Sequence, residues 1–326
     1  MERKIPPLSS LYAAGGNLVN ICLRAWERGV VARRILSTQP VLCDRDSPFE
    51  LHTLTYDQDL LATLWSLKTW YHYSGTRPSL VIYAGGPLSS SSEAVLLEHF
   101  PNCRIIMRDA FNSRMNGFLE RYPACLKFSR LPSFYCALKL FGPLCFTQAA
   151  SVLYFDSDLL FFRKPLELLG HIGRQSPCFS SDYQDAYAYP VEFIKELLAV
   201  KLEPKVNAGL FHVSRRDLTG SLDLMEAYFS GIPAVDPEVW TINRHEQTLN
   251  AIMLSQAGAA RLGSVYQLSR TPVTDSTVSH HFVNDGSRPA FFRSGVRRLV
   301  SAGFLNATSR NPGAQHTDIE IKGEGV

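Results

Sequence analysis

Read along its length, the chain changes rhythm at Pro48. Before that point, residues 17–36 carry apolar side chains at helical spacing (Leu18, Ile21, Cys22, Trp26, Val30, Val31), with Gly29 interrupting them. Beyond it, short β-rich runs alternate with helical ones. FELHTLTY, residues 49–56, alternates and is rich in β-formers, which predicts a strand. Asp57 stands where a cap would open a helix to about Tyr73, with Leu60, Leu61, Leu64, Leu67 and Trp70 on one face. A strand is predicted over 80–83, closed by Gly85-Gly86-Pro87, then a short helix over 93–100 and a strand over 103–107. A helical stretch follows from about Ser133 to Gln148, disturbed by Gly142-Pro143, and 151–155 is apolar enough for a central strand buried on both faces. This β-α-β-α-β order predicts an α/β fold, a mostly parallel open sheet flanked by helices. Its ligands should sit beyond the carboxyl ends of the strands.

Composition narrows the function classes. With 326 residues, 45% hydrophobic and 19% charged, the chain can bury a large core. The net charge of +3 (33 basic, 30 acidic) is too small for a protein that coats nucleic acid, so no nucleic-acid partner is expected. Seven cysteines, none in a CxxC pair and several in apolar runs, read as reduced, buried thiols of a cytoplasmic protein. No apolar run reaches the roughly 18 residues of a membrane span. The basic start is broken by prolines and asparagines, against a signal peptide. The first 45 residues do carry seven basic side chains against three acidic ones. The helix over 17–36 either packs on the domain or lies on the inner face of an anionic membrane as a peripheral contact.

The candidate chemistry centres on Val152-Leu-Tyr-Phe-Asp156-Ser157-Asp158-Leu-Leu-Phe-Phe162, where two carboxylates interrupt an intensely apolar run. Unpaired charges at the end of a buried strand are costly. Side chains two apart in extended chain point the same way, so Asp156 and Asp158 can address one ligand, and their oxygens suit Mg²⁺ or Mn²⁺. The alternative, a turn cap with an arginine partner, accounts less well for acids placed after so hydrophobic a strand.

VLYFDSDLLFFRKPLELL resembles the signature of nucleotide-sugar-dependent glycosyltransferases of the GT-A fold, a Rossmann-like single large domain with a mostly parallel central sheet. Further pieces follow in that family's order: CFSSD (178–182), VNAGLF (206–211), HEQTLN (245–250) and, more weakly, His281-Phe282 with Gly286 and Arg288-Pro289. The resemblance covers roughly 49–295 and leans toward glycosyltransferase family 8. The C-terminal element departs from that family's HF-G-KPW ending in its spacing, with Phe291 where a Trp is expected. The implied organisation is an N-terminal helical extension (1–47), a GT-A domain (48–300) and a flexible tail (301–326).

The resemblance implies that Asp158 binds Mn²⁺ or Mg²⁺ directly, with Asp156 on the metal, the ribose or the donor sugar. A C-terminal histidine is implied as third ligand. His280 and His281 fall on opposite faces of a strand, so one at most reaches the metal, and His281 matches the HF element. Thr53, Thr55 and Tyr56 at the tip of the first strand are where this architecture holds the nucleoside, unless they simply end the strand. Asp109 bonds base or ribose, or else pairs with Arg108 or caps a helix. Lys139 contacts the diphosphate or is a solvated helix lysine. Asp182 meets donor-sugar hydroxyls or a neighbouring lysine. Asn207 and Gly209 line the sugar, or form a turn that needs a small residue. Glu246 either serves the reaction or complements its helix dipole, and Glu246 or Gln247 holds donor or acceptor in a retaining transfer. The partners implied are a nucleotide-sugar donor, a UDP-sugar by preference, and a glycan, lipid-linked or protein acceptor. A sugar-phosphate nucleotidylyltransferase is the rival enzyme, but FELHTLTYDQD lacks that class's Gly-rich triphosphate loop. A catalytically degenerate sugar-nucleotide-binding domain is the non-enzymatic alternative.

Overall fold

The computed structural model describes residues 27–131, 136–235, 244–269, 271–283 and 290–309. Ten strands run in chain order: β1 Phe49–Thr55, β2 Ser79–Ala84, β3 Arg104–Ile106, β4 Ser151–Phe155, β5 Leu159–Phe161, β6 Cys178–Ser181, β7 Val206–Ser214, β8 Ala260–Arg261, β9 Tyr266–Leu268 and β10 Ser279–His281. Seven of them form one sheet in the order β3-β2-β1-β4-β7-β6-β8, and a second sheet is β5-β10-β9. The β3, β2, β1 and β4 strands are mutually parallel, as the alternating strand–helix pattern predicts. Only β7 reverses, antiparallel to both β4 and β6. The sheet is therefore mostly parallel and lies between two apolar layers, each built on one face of the strands.

On one face the Leu60–Ser74 helix sets Trp70 against Phe155 and Phe161, and buries Trp65 in the same layer. Each buried phenylalanine there contributes roughly 1.5–3 kcal/mol. On the other face the Ala137–Phe146 and His245–Gln256 helices enclose Tyr83, Phe141, Tyr154 and Phe211. Gly142 answers to this packing, since a Cβ there would sit 2.6 Å from the Tyr83 ring.

Several local expectations shift. The helix expected from Asp57 begins at Leu60 after a 3-10 turn at Asp57–Asp59. Asp57 caps nothing; its carboxylate accepts from the N–H and hydroxyl of Ser89 at 2.9 and 2.7 Å, and Ser89 is the cap of the Ser90–His99 helix. Helices at Arg108–Phe118 and Pro123–Ser129 had no clear pattern to announce them. The helix expected over 133–148 is described as Ala137–Phe146; residues 132–135 lie outside the described residues.

Of the N-terminal helix expected over 17–36, residues 17–26 lie outside the described residues. From Val31 to Ser37 the chain packs on the domain: Ile35 is buried and Trp65 Nε1 donates to the Ala32 carbonyl at 2.9 Å. At the other end, the segment expected as a tail from 301 is folded through Ser309. Phe304 packs on Trp65 and Tyr73, and Ser309 bridges Thr38. Among the described residues no helix is long and apolar enough to cross a membrane. The six described cysteines are free, as expected.

Candidate functional site

The main cleft opens at the carboxyl ends of β1 and β4, a cavity of about 510 Å³ lined by Tyr56, Lys139, Asp156, Asp158, Asp182, Asn207, Gly209, Glu246, Gln247 and His281 among others. β4 ends at Phe155 because the chain turns there: Leu159 N–H donates to the Asp156 carbonyl at 3.2 Å, and β5 departs into the second sheet. The turn is pinned from three sides. Asp156 N–H donates to Gly209 O at 3.0 Å, Ser66 Oγ donates to Asp156 O at 3.3 Å, and Phe282 N–H donates to Asp158 O at 3.0 Å. The last contact joins the turn to the end of β10, which pairs His281 with Leu159.

That pairing brings His281 to the two acids across more than a hundred residues of sequence. Its Nε2 lies 3.0 Å from Asp158 Oδ1 and 3.5 Å from Asp156 Oδ2, and one ligand atom of each residue falls within 4.8 Å of the others. His280 points the other way and meets the Thr271 carbonyl at 2.7 Å. Asn207 Oδ1 lies 3.1 Å from His281 Nδ1 and also accepts from Gly209 N–H at 2.9 Å, so the Nδ1 of His281 is the donor. Nε2 faces the two carboxylates, and in the neutral ring it turns a lone pair toward them. Burial alone would lower the His281 pKa, but Asp158 and then Asp156 outweigh it and raise it. With the Nε2 proton displaced, two carboxylates and an imidazole are the donor set of a divalent cation, and this cluster is the only such group among the described residues.

Beside the cluster sits a buried cation. Lys139 Nζ is 3.0 Å from Asp156 Oδ2 and 3.4 Å from Glu246 Oε1. Burial would lower its pKa; the charges of Asp156 and Glu246 reverse this and raise it. Lys139 is thus not the solvated lysine that was its alternative. Burial raises the Glu246 pKa against the opposing pull of Lys139. Glu246 also accepts from Asn250 Nδ2 at 2.5 Å. Although it lies in the first turn of its helix, its carboxylate is engaged inside the cleft.

Asp182, Asn207 and Gln247, expected on the sugar side, form a second connected group. Asn207 Nδ2 and Gln247 Nε2 both donate to Asp182 Oδ2, at 3.0 and 3.2 Å, and Gln247 reaches the Val206 carbonyl at 2.8 Å. The register between β6 and β7 slips after Phe179, so Ser180 faces Asn207 and the Ala208–Leu210 stretch bulges. Gly209 is required at this bulge, because any Cβ would overlap the His281 ring.

Not every expected residue arrives. Thr53 and Thr55 are fully buried, with Thr55 bonded to the Thr63 hydroxyl at 2.6 Å, and neither lines the cleft. They point into the sheet's flanking layers, leaving Tyr56 alone of the three at the opening. Asp109 is exposed in the first turn of the Arg108–Phe118 helix, outside the cleft. Conversely, the cleft holds residues that sequence reasoning passed over. Tyr154 donates to Asp156 Oδ1 at 3.0 Å, and its ring lies 5.2 Å from the Lys139 ammonium. Asp59 and Arg244 also line the opening. Tyr154, two residues before Asp156, and Asn250, four after Glu246, stood at the spacings that place them on a shared face.

No family model matches the chain, and no curated protein matches it. Solved structures do. Mouse xyloside xylosyltransferase 1 aligns with a TM-score of 0.50 at 11% identity, over 76% of this chain and 99% of that one. The galactosyltransferase LgtC, solved with donor and acceptor sugar analogs, aligns at 0.52 and 14% identity, over 81% and 98%. The bifunctional glycosyltransferase WbbM aligns at 0.52 and 12% identity, over 82% of this chain and 52% of that one. The fold is that of the GT-A glycosyltransferases. Within the GT-A frame, the acidic turn after β4 lies at the strand ends where this sheet architecture places ligands.

Proposed function

We propose that the protein is a metal-dependent glycosyltransferase that moves a sugar from a nucleoside-diphosphate sugar, preferably a UDP-sugar, to a hydroxyl acceptor. The observation that carries this reading is the convergence of Asp156, Asp158 and His281 in the main cleft of a GT-A fold. These three residues would hold the metal. Two carboxylates with one imidazole suit Mn²⁺, with Mg²⁺ the alternative. The ion would supply positive charge where the leaving diphosphate gathers negative charge.

The chain's own residues supply the rest. Lys139 holds Asp156 and Glu246 apart from solvent and adds a fixed positive charge at the floor of the cleft. Tyr56 and Asp59, at the tip of β1, form the wall for the nucleoside. Asp182 and Gln247, bonded to each other, present the polar edge that meets sugar hydroxyls. Glu246 is engaged by Lys139 and Asn250, which leaves it poorly placed to deprotonate an acceptor. This favours retention, with the leaving phosphate taking the acceptor's proton. The acceptor is a glycan, a lipid-linked sugar or a protein.

A thermal-shift panel of nucleotide sugars with Mn²⁺ tests the donor. The true donor should stabilise the protein by about 2.7 kcal/mol at a hundredfold excess over its dissociation constant, and only with metal. Stabilisation by none of them, or equally by all with and without metal, would contradict the reading. Anomeric configuration of the product, read by NMR couplings, tests retention. An inverted product together with an inactive Glu246→Gln variant would reverse that part.

A further inference from the structure

Asn207 stands in the middle of a hydrogen-bond chain that runs from the sugar side of the cleft to the acidic turn. Its side chain is nearly inaccessible, the residue being 3% exposed. Gly209 N–H can only donate, and it reaches Oδ1 at 2.9 Å, which identifies that atom as the oxygen. The same oxygen accepts from His281 Nδ1 at 3.1 Å, while Nδ2 donates to Asp182 at 3.0 Å. An oxygen already serving two donors is not free to read a sugar hydroxyl. Asp182 is held in turn by Gln247, which is anchored on the Val206 carbonyl.

The consequence falls on the histidine. With Oδ1 accepting, Nδ1 carries a proton, and Nε2, which faces Asp158 and Asp156, is the nitrogen left to bind a cation. The ring lies flush against Gly209. We propose that Asn207 is a positioning residue for the metal centre rather than a sugar contact. It fixes His281 in the Nδ1–H tautomer and in the orientation that offers Nε2 to a cation, with Asp182 and Gln247 holding Asn207 in place. This rests on the reading of Asp156, Asp158 and His281 as metal ligands. Because Asp182 and Gln247 are also the proposed sugar-side edge, donor binding and metal binding are coupled through Asn207.

Two measurements test the proposal. Calorimetric titration with Mn²⁺ should show wild-type binding and a loss of about 10–100-fold in affinity for Asn207→Ala, the scale of lost outer-shell support. Unfolding of both proteins without metal verifies that the variant is folded. Independently of any variant, ¹⁵N-histidine NMR of the wild-type protein loaded with Mg²⁺ should show His281 protonated at Nδ1. Unchanged Mn²⁺ affinity in folded Asn207→Ala would overturn the role of Asn207 while leaving the metal site standing; an Nε2–H ring in the loaded wild type would remove His281 from the ligand set and this proposal with it. A wild-type protein that binds neither Mn²⁺ nor Mg²⁺ would instead bring down the metal reading and this proposal with it.

Discussion

Two adjacent strands of the main sheet, β1 and β4, carry carboxylates among apolar neighbours, at opposite ends. Glu50, near the start of β1, is 2% exposed and fully answered. It accepts from Arg104 at 2.5 Å, from the Gln148 N–H at 2.9 Å and from His52 Nε2 at 3.2 Å, and His52 is completed by the Tyr83 hydroxyl at 2.7 Å. Burial would raise the Glu50 pKa, but these partners lower it. Just past the end of β4, Asp156 and Asp158 stay partly open to the cleft and face the Nε2 of His281. The first cluster is closed and complete, which is what a structural ion pair looks like. The second engages Lys139, Tyr154 and His281, yet it presents its carboxylates to the cleft. Acids on neighbouring strands can thus differ in role, and the difference lies in whether they are sealed in the sheet or face the cleft.

The largest expected effect is on turnover. Asp158→Asn should reduce transfer or hydrolysis of the donor by about 10²–10³-fold, the scale of losing one electrostatic partner of a developing charge. The same change should leave metal-free stability unchanged or higher, because it removes one of two facing carboxylates. A folded Asp158→Asn enzyme with full metal-dependent activity would break the contrast from the β4 side.

Glu50→Gln attacks the other side. It should cost roughly 3 kcal/mol in denaturant unfolding, the lower edge for breaking a buried pair because Arg104 is partly solvated. Mn²⁺ affinity should not change. A loss of metal binding without loss of stability would mean that the two clusters are not the separate devices described here. Between these in kind stands Gly209→Ala. The added methyl must displace the His281 ring, so a destabilisation of about 1–3 kcal/mol should accompany weaker Mn²⁺ binding. Stability and affinity both at wild-type level would show that the β7 bulge is not needed to seat the histidine.

The pH dependence sharpens the same comparison, with opposite signs. The Glu50 pKa is lowered on folding, so its contribution is present above the ordinary value of 4.5 and is lost as pH falls through the folded value. The His281 pKa is raised, so in metal-free protein its contribution is full below the ordinary 6.5 and is lost as pH rises through the folded value. Unfolding free energy against pH should therefore flatten on the acid side in Glu50→Gln and on the neutral-to-basic side in His281→Gln. Identical profiles for both variants would contradict the assignment. The smallest effect belongs to Asp109→Asn, exposed and away from the cleft, which should change stability by less than about 0.5 kcal/mol and leave turnover intact.

The comparison also shows which parts of the molecule were legible in the sequence. The 151–155 strand and the acidic pair after it stood out because charge so rarely interrupts such an apolar run, and the strand matches to the residue. His281, Asn207, Gly209, Glu246 and Gln247 were singled out through the family resemblance, and all of them line the main cleft. What the pattern concealed depends on contacts made across the fold. Thr53 and Thr55 look like cleft residues on a strand tip, yet both are buried on the face that carries the Leu60–Ser74 helix, where Thr55 bonds Thr63. Asn207 looks like a sugar-binding amide, yet its oxygen is occupied by His281, a partner 74 positions away. The Arg104 partner of Glu50, 54 positions along, was equally invisible. Period and composition report which face is buried; they do not report which polar groups meet there.

The measurement that bears most directly on the central claim is turnover of UDP-sugars by the wild-type protein, with Mn²⁺ and after chelation, beside Asp158→Asn under the same conditions. The account predicts UDP release with Mn²⁺, its loss on chelation, its return when Mn²⁺ is restored, and a rate about 10²–10³-fold lower at every Mn²⁺ concentration in Asp158→Asn. UDP release that survives chelation, or that persists in Asp158→Asn at the wild-type rate, would contradict it.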